Sequence, residues 1–319
     1  MYLVTGGNGF VGAALLRRLA ADLPDVVRGA IRRADAALPD GVERVVVAGS
    51  WPEADWTVAL NGVTAVIHAA ARVHVMRDSH VDQLSRYRQV NVDGTLNLAR
   101  QAVAAGVQRF VFVSSIKVNG DSASPARPFR ADDVPNPSDA YSVSKLEAEV
   151  ALRNLAVSSG IELVIVRPPL VYGPGVRANF RSMMQWLCRG VPLPLANLQN
   201  SRSLVAIDNL VDLLACSAVH PAAPGRVLMV SDGDDMSTSE LLRRMGVALG
   251  RSPRLFHMPE FLMRSSARVL GREDIVERLF GSLCVDISET RRALCWSPPV
   301  SVDTCLRHTA EAFLNEAHA

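Results

Sequence analysis

Short apolar runs alternate along this chain with segments of helical period. The runs are Tyr2 to Val4, Val26 to Ile31, Val42 to Val47, Thr64 to Ala69, Arg109 to Val113 and Glu162 to Val166. Each is too short for a helix, and the repeated run-then-helix pattern predicts a parallel sheet with helices on both faces. Helix ends are marked by glycine: Gly106 after Thr95 to Ala105, Gly160 after Tyr141 to Ser159, and Gly250 after a helix opened by the capping box Ser237-Thr238-Ser239-Glu240. The expected fold class is therefore α/β, a Rossmann-type doubly wound sheet of about six strands. Beyond Tyr172-Gly173-Pro174-Gly175 the elements shorten and are broken by Pro192, Pro194, Pro253, Pro259, Pro298 and Pro299. A smaller C-terminal substrate-binding lobe is expected there. One more apolar run, Val227 to Val230, reads as a strand returning to the main sheet. The expected division is a dinucleotide-binding domain at 1–172 with a return segment at about 205–232, and a lobe formed by 173–204 and 233–319.

Composition narrows the function. With 319 residues, 49% apolar and 21% charged, the chain can bury a full α/β core. The formal net charge of +2, with no dense Lys/Arg cluster, argues against a nucleic-acid partner. No apolar run is long enough to span a bilayer, and the chain enters a strand at once without a basic leader, so a cytoplasmic protein with no membrane partner is expected. Five cysteines, Cys188, Cys216, Cys284, Cys295 and Cys305, stand singly without a C-x-x-C pair. They read as reduced, buried fillers, and no metal site is expected.

The first strand runs into Thr5-Gly6-Gly7-Asn8-Gly9-Phe10-Val11-Gly12 and then into an apolar-periodic helix. Glycines at Gly6, Gly9 and Gly12 remove side chains where backbone must approach a dinucleotide pyrophosphate, and the helix that follows supplies free N–H groups and a positive dipole end. The NAD fingerprint places an acidic residue at the end of the second strand to bind the ribose 2′-hydroxyl. Here that strand ends in Arg32 and Arg33, two guanidiniums suited to a 2′-phosphate, so NADP(H) is favoured with NAD(H) as the alternative; Asp35 is near enough to matter.

Tyr141 and Lys145 are four apart behind the turn segment Asn136-Pro137-Ser138-Asp139, so a helix opening there carries both on one face. An ammonium and an oxidised nicotinamide both favour a phenolate, which would make Tyr141 a usable general acid and base. The run Phe110 to Val113 ends in Ser114-Ser115, placing a hydroxyl at the carboxyl edge of the sheet. Ser115 would hold the reacting oxygen while Tyr141 exchanges its proton.

These residues resemble the extended short-chain dehydrogenase/reductase family, the sugar-nucleotide epimerases, dehydratases and reductases. The resemblance rests on the glycine loop, His68-Ala69-Ala70-Ala71, Asn91-Val92-Asp93-Gly94-Thr95, Val113-Ser114-Ser115, Tyr141 to Lys145, Arg167 to Pro174, and Cys295-Trp296-Ser297-Pro298. It implies that the loop with Phe10 and Val11, the backbone of Ala69, Ala70 and Ala71, and Asn91, Val113, Pro168 and Val171 serve the cofactor, with Lys145 on the nicotinamide ribose. It also implies that Asn179, Arg202 and Arg278 grip a nucleotide diphosphate, that Arg72, His74, Lys117 and Asn119 surround the sugar, and that the chain is a homodimer.

Where family dehydratases carry an Asp-Glu pair after the catalytic hydroxyl, this chain has Ile116-Lys117 and lacks that acid and base. The strings Ser114 to Gly120, Ala70 to Val75 and Pro168 to Val176 look like bacterial reductases of UDP-4-keto-6-deoxy-N-acetylhexosamines, enzymes of surface-polysaccharide synthesis. The reading favoured by sequence is thus an NADP(H)-linked 4-ketoreductase acting on such a UDP-sugar. A UDP-hexose 4-epimerase with tightly held NAD is the alternative, and a non-catalytic NADP-binding sensor is disfavoured because all three catalytic residues are present.

Overall fold

The computed structural model describes residues 1–22, 26–49, 51–73, 83–269 and 279–318. Seven strands form one sheet: β1 (Tyr2–Thr5), β2 (Val27–Ile31), β3 (Glu43–Val46), β4 (Ala65–His68), β5 (Arg109–Val113), β6 (Glu162–Arg167) and β9 (Val227–Met229), in the order β3-β2-β1-β4-β5-β6-β9. Every neighbouring pair is parallel. The order reverses between β1 and β4, where Thr5 stands opposite His68. That reversal opens a crevice at the carboxyl ends of the two strands, the place where such sheets bind ligands.

Each strand sends alternate residues to opposite faces, and the two faces have separate cores. Val4, Ile67, Val111, Val113, Val164 and Val166 pack with helix α1 (Phe10–Asp22) and helix α7 (Ile207–Val219) through Leu15, Leu16, Leu19, Leu210, Leu213 and Leu214. Leu3, Val66, Phe110, Phe112, Leu163 and Ile165 pack with helix α4 (Gly94–Ala104) and helix α5 (Ala140–Ser159) through Leu98, Ala99, Ala102, Ala148 and Leu152. Burial on both faces is why these strands read as continuous apolar runs.

A further core gathers Tyr172, Phe180, Met184, Leu204, Leu242, Met245, Leu306 and Phe313. It includes a two-stranded parallel sheet, β7 (Leu170–Tyr172) with β8 (Leu204–Ala206), which the sequence pattern did not reveal because three-residue strands show no period. At the turn leaving β7, Gly173 has φ +151°, and a Cβ there would lie 2.3 Å from Ile207 Cγ2. Two cysteines match the expectation of burial, Cys284 and Cys305; Cys188 and Cys216 are half-buried and Cys295 is exposed, so the reading of all five as buried fillers is corrected. Among the described residues no helix is long and apolar enough to cross a membrane, and no group of His, Cys, Asp or Glu could hold a metal ion.

Candidate active site

The glycine loop follows β1 and opens α1. Gly6 has φ +70°, and a Cβ on Gly12 would lie 2.1 Å from the Gly6 carbonyl oxygen, so the first turn of α1 fits against the loop only without a side chain. The Gly9 N–H donates to Gly6 O at 2.8 Å and the Ala13 N–H to Gly9 O at 2.9 Å. The result is a bare cradle at a helix N-terminus with the half-buried Phe10 and Val11 on its inner side, which fits a dinucleotide pyrophosphate. Ala69, Ala70 and Ala71 continue from β4 beside it, and the Cβ that Gly6 lacks would stand 3.0 Å from the Ala70 backbone. Arg32 and Arg33 follow β2, both exposed. Asp35 engages Arg33, accepting from Nε at 3.0 Å, so one of the two guanidiniums already holds a carboxylate.

His68, at the end of β4, is fully buried and pins this crevice. Its Nδ1 is 2.7 Å from Thr5 Oγ1 and its Nε2 is 2.9 Å from Thr95 Oγ1, joining β1, β4 and α4. Burial, and after it the Lys145 charge, push its pKa down to about 3, so the ring is neutral. Asn91, in a π-helical segment at Gln89–Asp93 that continues helix α3 (Gln83–Arg88), receives the Arg72 N–H at 2.8 Å and donates to Arg72 O at 3.1 Å. It also donates to Ser144 Oγ at 3.0 Å, and Ser144 donates to the Tyr141 carbonyl at 2.7 Å. Asn91 therefore clamps the loop after β4 to the helix that carries Tyr141 and Lys145. His74 and Arg278 lie outside the described residues.

Ser115 ends β5's extension and caps a short 3₁₀ turn, Ile116–Val118, accepting the Lys117 N–H at 3.2 Å. Asp139 caps α5 through a reciprocal capping box with Ser142, which sets Tyr141 in the first turn facing Ser115. The Ser115 hydroxyl lies close enough to the Tyr141 phenol to favour its ionised form. Lys145, one turn further, is 2% exposed; its Nζ donates to Val113 O at 2.8 Å and sits 4.5 Å over the Phe112 ring. The three residues named from their spacing are thus brought together at the carboxyl edge of the sheet, with Val113 beside them. Pro168, buried, is tied to the same turn by the Ile116 N–H on its carbonyl at 3.0 Å, and Val171 follows in β7.

Electrostatics differ from expectation in one respect. The Tyr141 phenol is not acidified in the protein alone: burial, and next the Asp139 carboxylate, raise its pKa well above the ordinary value, while the Ser115 hydroxyl opposes them. Burial brings Lys145 down to about 7, with Glu149 acting the other way. Tyr141 is accordingly a proton donor at rest, and Lys145 changes charge near neutrality.

Other expectations are redistributed. Asn119 is 2% exposed and its amide is used inside the fold, donating to Arg130 O at 2.8 Å and accepting from Arg167 Nη1 at 2.9 Å, so it does not face a sugar. Lys117 holds Asp139 at 2.5 Å and remains partly exposed. Asn179 is exposed in the first turn of helix α6 (Ala178–Cys188). Arg202 is half-buried and donates to Gly281 O at 3.2 Å; no described contact joins it or Asn179 to the trio. Sequence reasoning missed a buried group behind the site, Glu149 with Arg167 and Ser114, because its members are distant in the chain and resemble ordinary polar positions.

A doubly wound sheet, a glycine cradle at its first turn and a Ser-Tyr-Lys cluster at its carboxyl edge define a dinucleotide-dependent oxidoreductase of the short-chain type. The profile of the NAD dependent epimerase/dehydratase family matches residues 2–230, and the chain belongs to that family. A UDP-glucose 4-epimerase of Vibrio cholerae is 44% identical over 313 residues, covering 98% of this chain and 95% of that protein. The solved structure of MoeE5 in complex with UDP-glucuronic acid and NAD superposes with a TM-score of 0.77 at 25% identity, covering 99% of both chains. A UDP-glucuronic acid 4-epimerase from Bacillus cereus, in complex with NAD, shares the fold at a TM-score of 0.77 and 18% identity over 98% of both chains. The protein is a nucleotide-sugar enzyme of the epimerase/dehydratase type.

Proposed function

We propose that the protein moves hydride at carbon 4 of a UDP-hexose as a 4-epimerase. The observation that carries this is the placing of Ser115, at the end of β5, and Tyr141, in the first turn of α5, beside the buried Lys145 at the carboxyl edge of the sheet. The cradle Gly6, Gly9 and Gly12 would hold the pyrophosphate, with Ala69 to Ala71, Val113, Pro168 and Val171 along the rest of the dinucleotide. The nicotinamide supplies the hydride acceptor and donor. Ser115 would hold the sugar's 4-oxygen; Tyr141, brought to the phenolate by the Lys145 ammonium and the oxidised nicotinamide, would take the 4-hydroxyl proton as hydride leaves and, as the neutral phenol, return it when hydride comes back. Arg72, Lys117, Asn179 and Arg202 are the polar candidates toward the UDP-sugar, which would lie between residues 1–172 with their return segment and the lobe of 173–204 and 233–319. The 44% identity to a 4-epimerase favours this over net reduction.

A second reading, NADP(H)-linked 4-ketoreduction of a UDP-4-keto-6-deoxy-N-acetylhexosamine, is favoured by Arg32 and Arg33 at the end of β2. The pairing of Arg33 with Asp35 weighs against it, since that guanidinium already holds a carboxylate. One experiment separates the two. The purified protein is denatured and its released cofactor identified, and the native protein is assayed with UDP-glucose and UDP-galactose. Stoichiometric NAD with interconversion of the two sugars supports the epimerase. An empty site that prefers NADPH over NADH, with the preference lost in Arg32→Ala/Arg33→Ala, supports the reductase and overturns the first reading.

A further inference from the structure

Beneath the trio lies a polar group that the proposed chemistry does not use. Glu149, on α5 one turn beyond Lys145, is 1% exposed, and Arg167, the last residue of β6, is 2% exposed. The guanidinium grips the carboxylate twice, Nε to Oε1 at 2.9 Å and Nη2 to Oε2 at 2.6 Å. Ser114 donates to the same Oε1 at 2.5 Å, and the third arm of Arg167 donates to Asn119 Oδ1 at 2.9 Å. Each member adjoins a working residue: Ser114 precedes Ser115, Arg167 precedes Pro168, Asn119 ends the 3₁₀ turn, and Glu149 shares a helix face with Tyr141 and Lys145.

A buried ion pair is a weak source of stability, because the desolvation of both charges offsets their attraction. Its geometry here does something more specific. One carboxylate fixes the loop bearing Ser115, the loop bearing Pro168 and the helix bearing Tyr141 and Lys145 at a common point, so that none can shift without breaking a charged hydrogen bond. The Ser114 N–H on Val166 O at 2.8 Å and the Ile116 N–H on Pro168 O at 3.0 Å tie the same two loops from the other side.

We infer that Glu149, held by Arg167 and Ser114, is a positioning residue for the reaction: it sets Ser115, Lys145 and the nicotinamide-side loop in register. This deepens the proposed function and rests on it. Among the described residues the groups facing Lys145 are Tyr141 and Glu149 on its own helix, the neutral His68 from β4, and the Val113 carbonyl and Phe112 ring from β5. Glu149 is the one anion in that set. Its influence runs toward a higher pKa for Lys145, against the burial that lowers it. Removing it lets Lys145 lose its proton at a lower pH.

The test compares Glu149→Gln and Ser114→Ala with the wild type by steady-state kinetics, by the pH profile of single-turnover hydride transfer read at the nicotinamide band, and by thermal melting. Glu149→Gln is expected to lower kcat on the order of ten- to a hundredfold, as misplacement behind a site does, with the KM for the sugar little changed. It is also expected to move the alkaline limb, where Lys145 deprotonates, to lower pH. Ser114→Ala keeps the ion pair, so it should lower kcat less and leave that limb in place. If Glu149→Gln alone does not fold, Glu149→Gln/Arg167→Met removes both buried charges and leaves Ser114 its acceptor, and the same displaced limb is expected. Wild-type kcat and an unmoved limb in whichever of these proteins folds would make the group a strut and overturn the inference. Tyr141→Phe serves as the separate control, since full turnover in that variant would remove the proposed chemistry itself, whatever Glu149 does.

Discussion

His68 illustrates how a single side chain can be essential to a crevice and inert in its chemistry. Both ring nitrogens are engaged inside the fold, Nδ1 at Thr5 Oγ1 and Nε2 at Thr95 Oγ1, and the Ala70 N–H donates to the same Thr5 oxygen at 3.3 Å. The ring's pKa falls from 6.5 to about 3 in the fold, so between those values the unfolded chain binds a proton that the folded chain refuses. Stability contributed by the neutral ring is present above pH 6.5 and is lost as the pH falls, by up to about 1.4 kcal/mol per pH unit. Urea midpoints measured from pH 7 down to pH 4 should show this slope in the wild type, and His68→Gln should be shallower by about one proton. An unchanged slope in the variant would place the acid sensitivity elsewhere. Spacing alone pointed to Gly6, Gly9, Gly12, Ser115, Tyr141 and Lys145 as neighbours at the sheet's carboxyl edge, because the chemistry proposed for them needs fixed local intervals. The role of His68 was hidden, since its partners are 63 and 27 residues away in the chain.

At the level of elements, α5 joins folding and the proposed chemistry through its first turn. Asp139 accepts the Ser142 N–H at 2.7 Å as the helix cap and pairs with Lys117 from the Ser115 turn, while its charge raises the pKa of Tyr141 two residues on. The two roles separate by substitution. Asp139→Asn keeps a good cap and should change stability by only a few tenths of a kcal/mol, whereas Asp139→Ala should cost about 1 kcal/mol. Both remove the carboxylate, so both should bring the ionisation of Tyr141 to lower pH, read as an earlier rise in the pH profile of sugar oxidation. A shift in Asp139→Ala alone would trace the effect to a frayed helix and not to charge. The inner strands β1, β4, β5 and β6 were legible as apolar runs because helices cover both faces of the sheet there, and the largely exposed β3 was found only as part of the run Val42 to Val47. The β7–β8 pair and the π-helical turn carrying Asn91 were not legible, since three residues of strand and one extra residue of helix leave no periodic trace. Asn119 read as a sugar ligand by its place after the catalytic turn, yet the buried Arg167 claims it; a long-range ion pair of that kind has no local signature.

For the whole molecule, the outer side of α5 raises the question of a partner. Its inner face is committed to the sheet through Ala148 and Leu152, but Val150 is 49% exposed and Val157 is 90% exposed. Residues seven apart fall on one helix face, so the two valines share the outer side of α5, with the exposed Arg153 and Asn154 between them. A second copy seated on this mixed face would cover both valines and stiffen the helix that bears Tyr141, Lys145 and Glu149. Light scattering behind size-exclusion chromatography should therefore give twice the 34.4 kDa chain mass at micromolar concentration, and Val150→Glu/Val157→Glu should give the monomer. Because neither valine faces the sheet, the monomer should stay folded, with a lower melting temperature and a reduced kcat as α5 loses its outer support. A wild type that elutes as a monomer, or a double variant that remains a dimer, would show that these faces are merely solvated and that the site is complete in one chain.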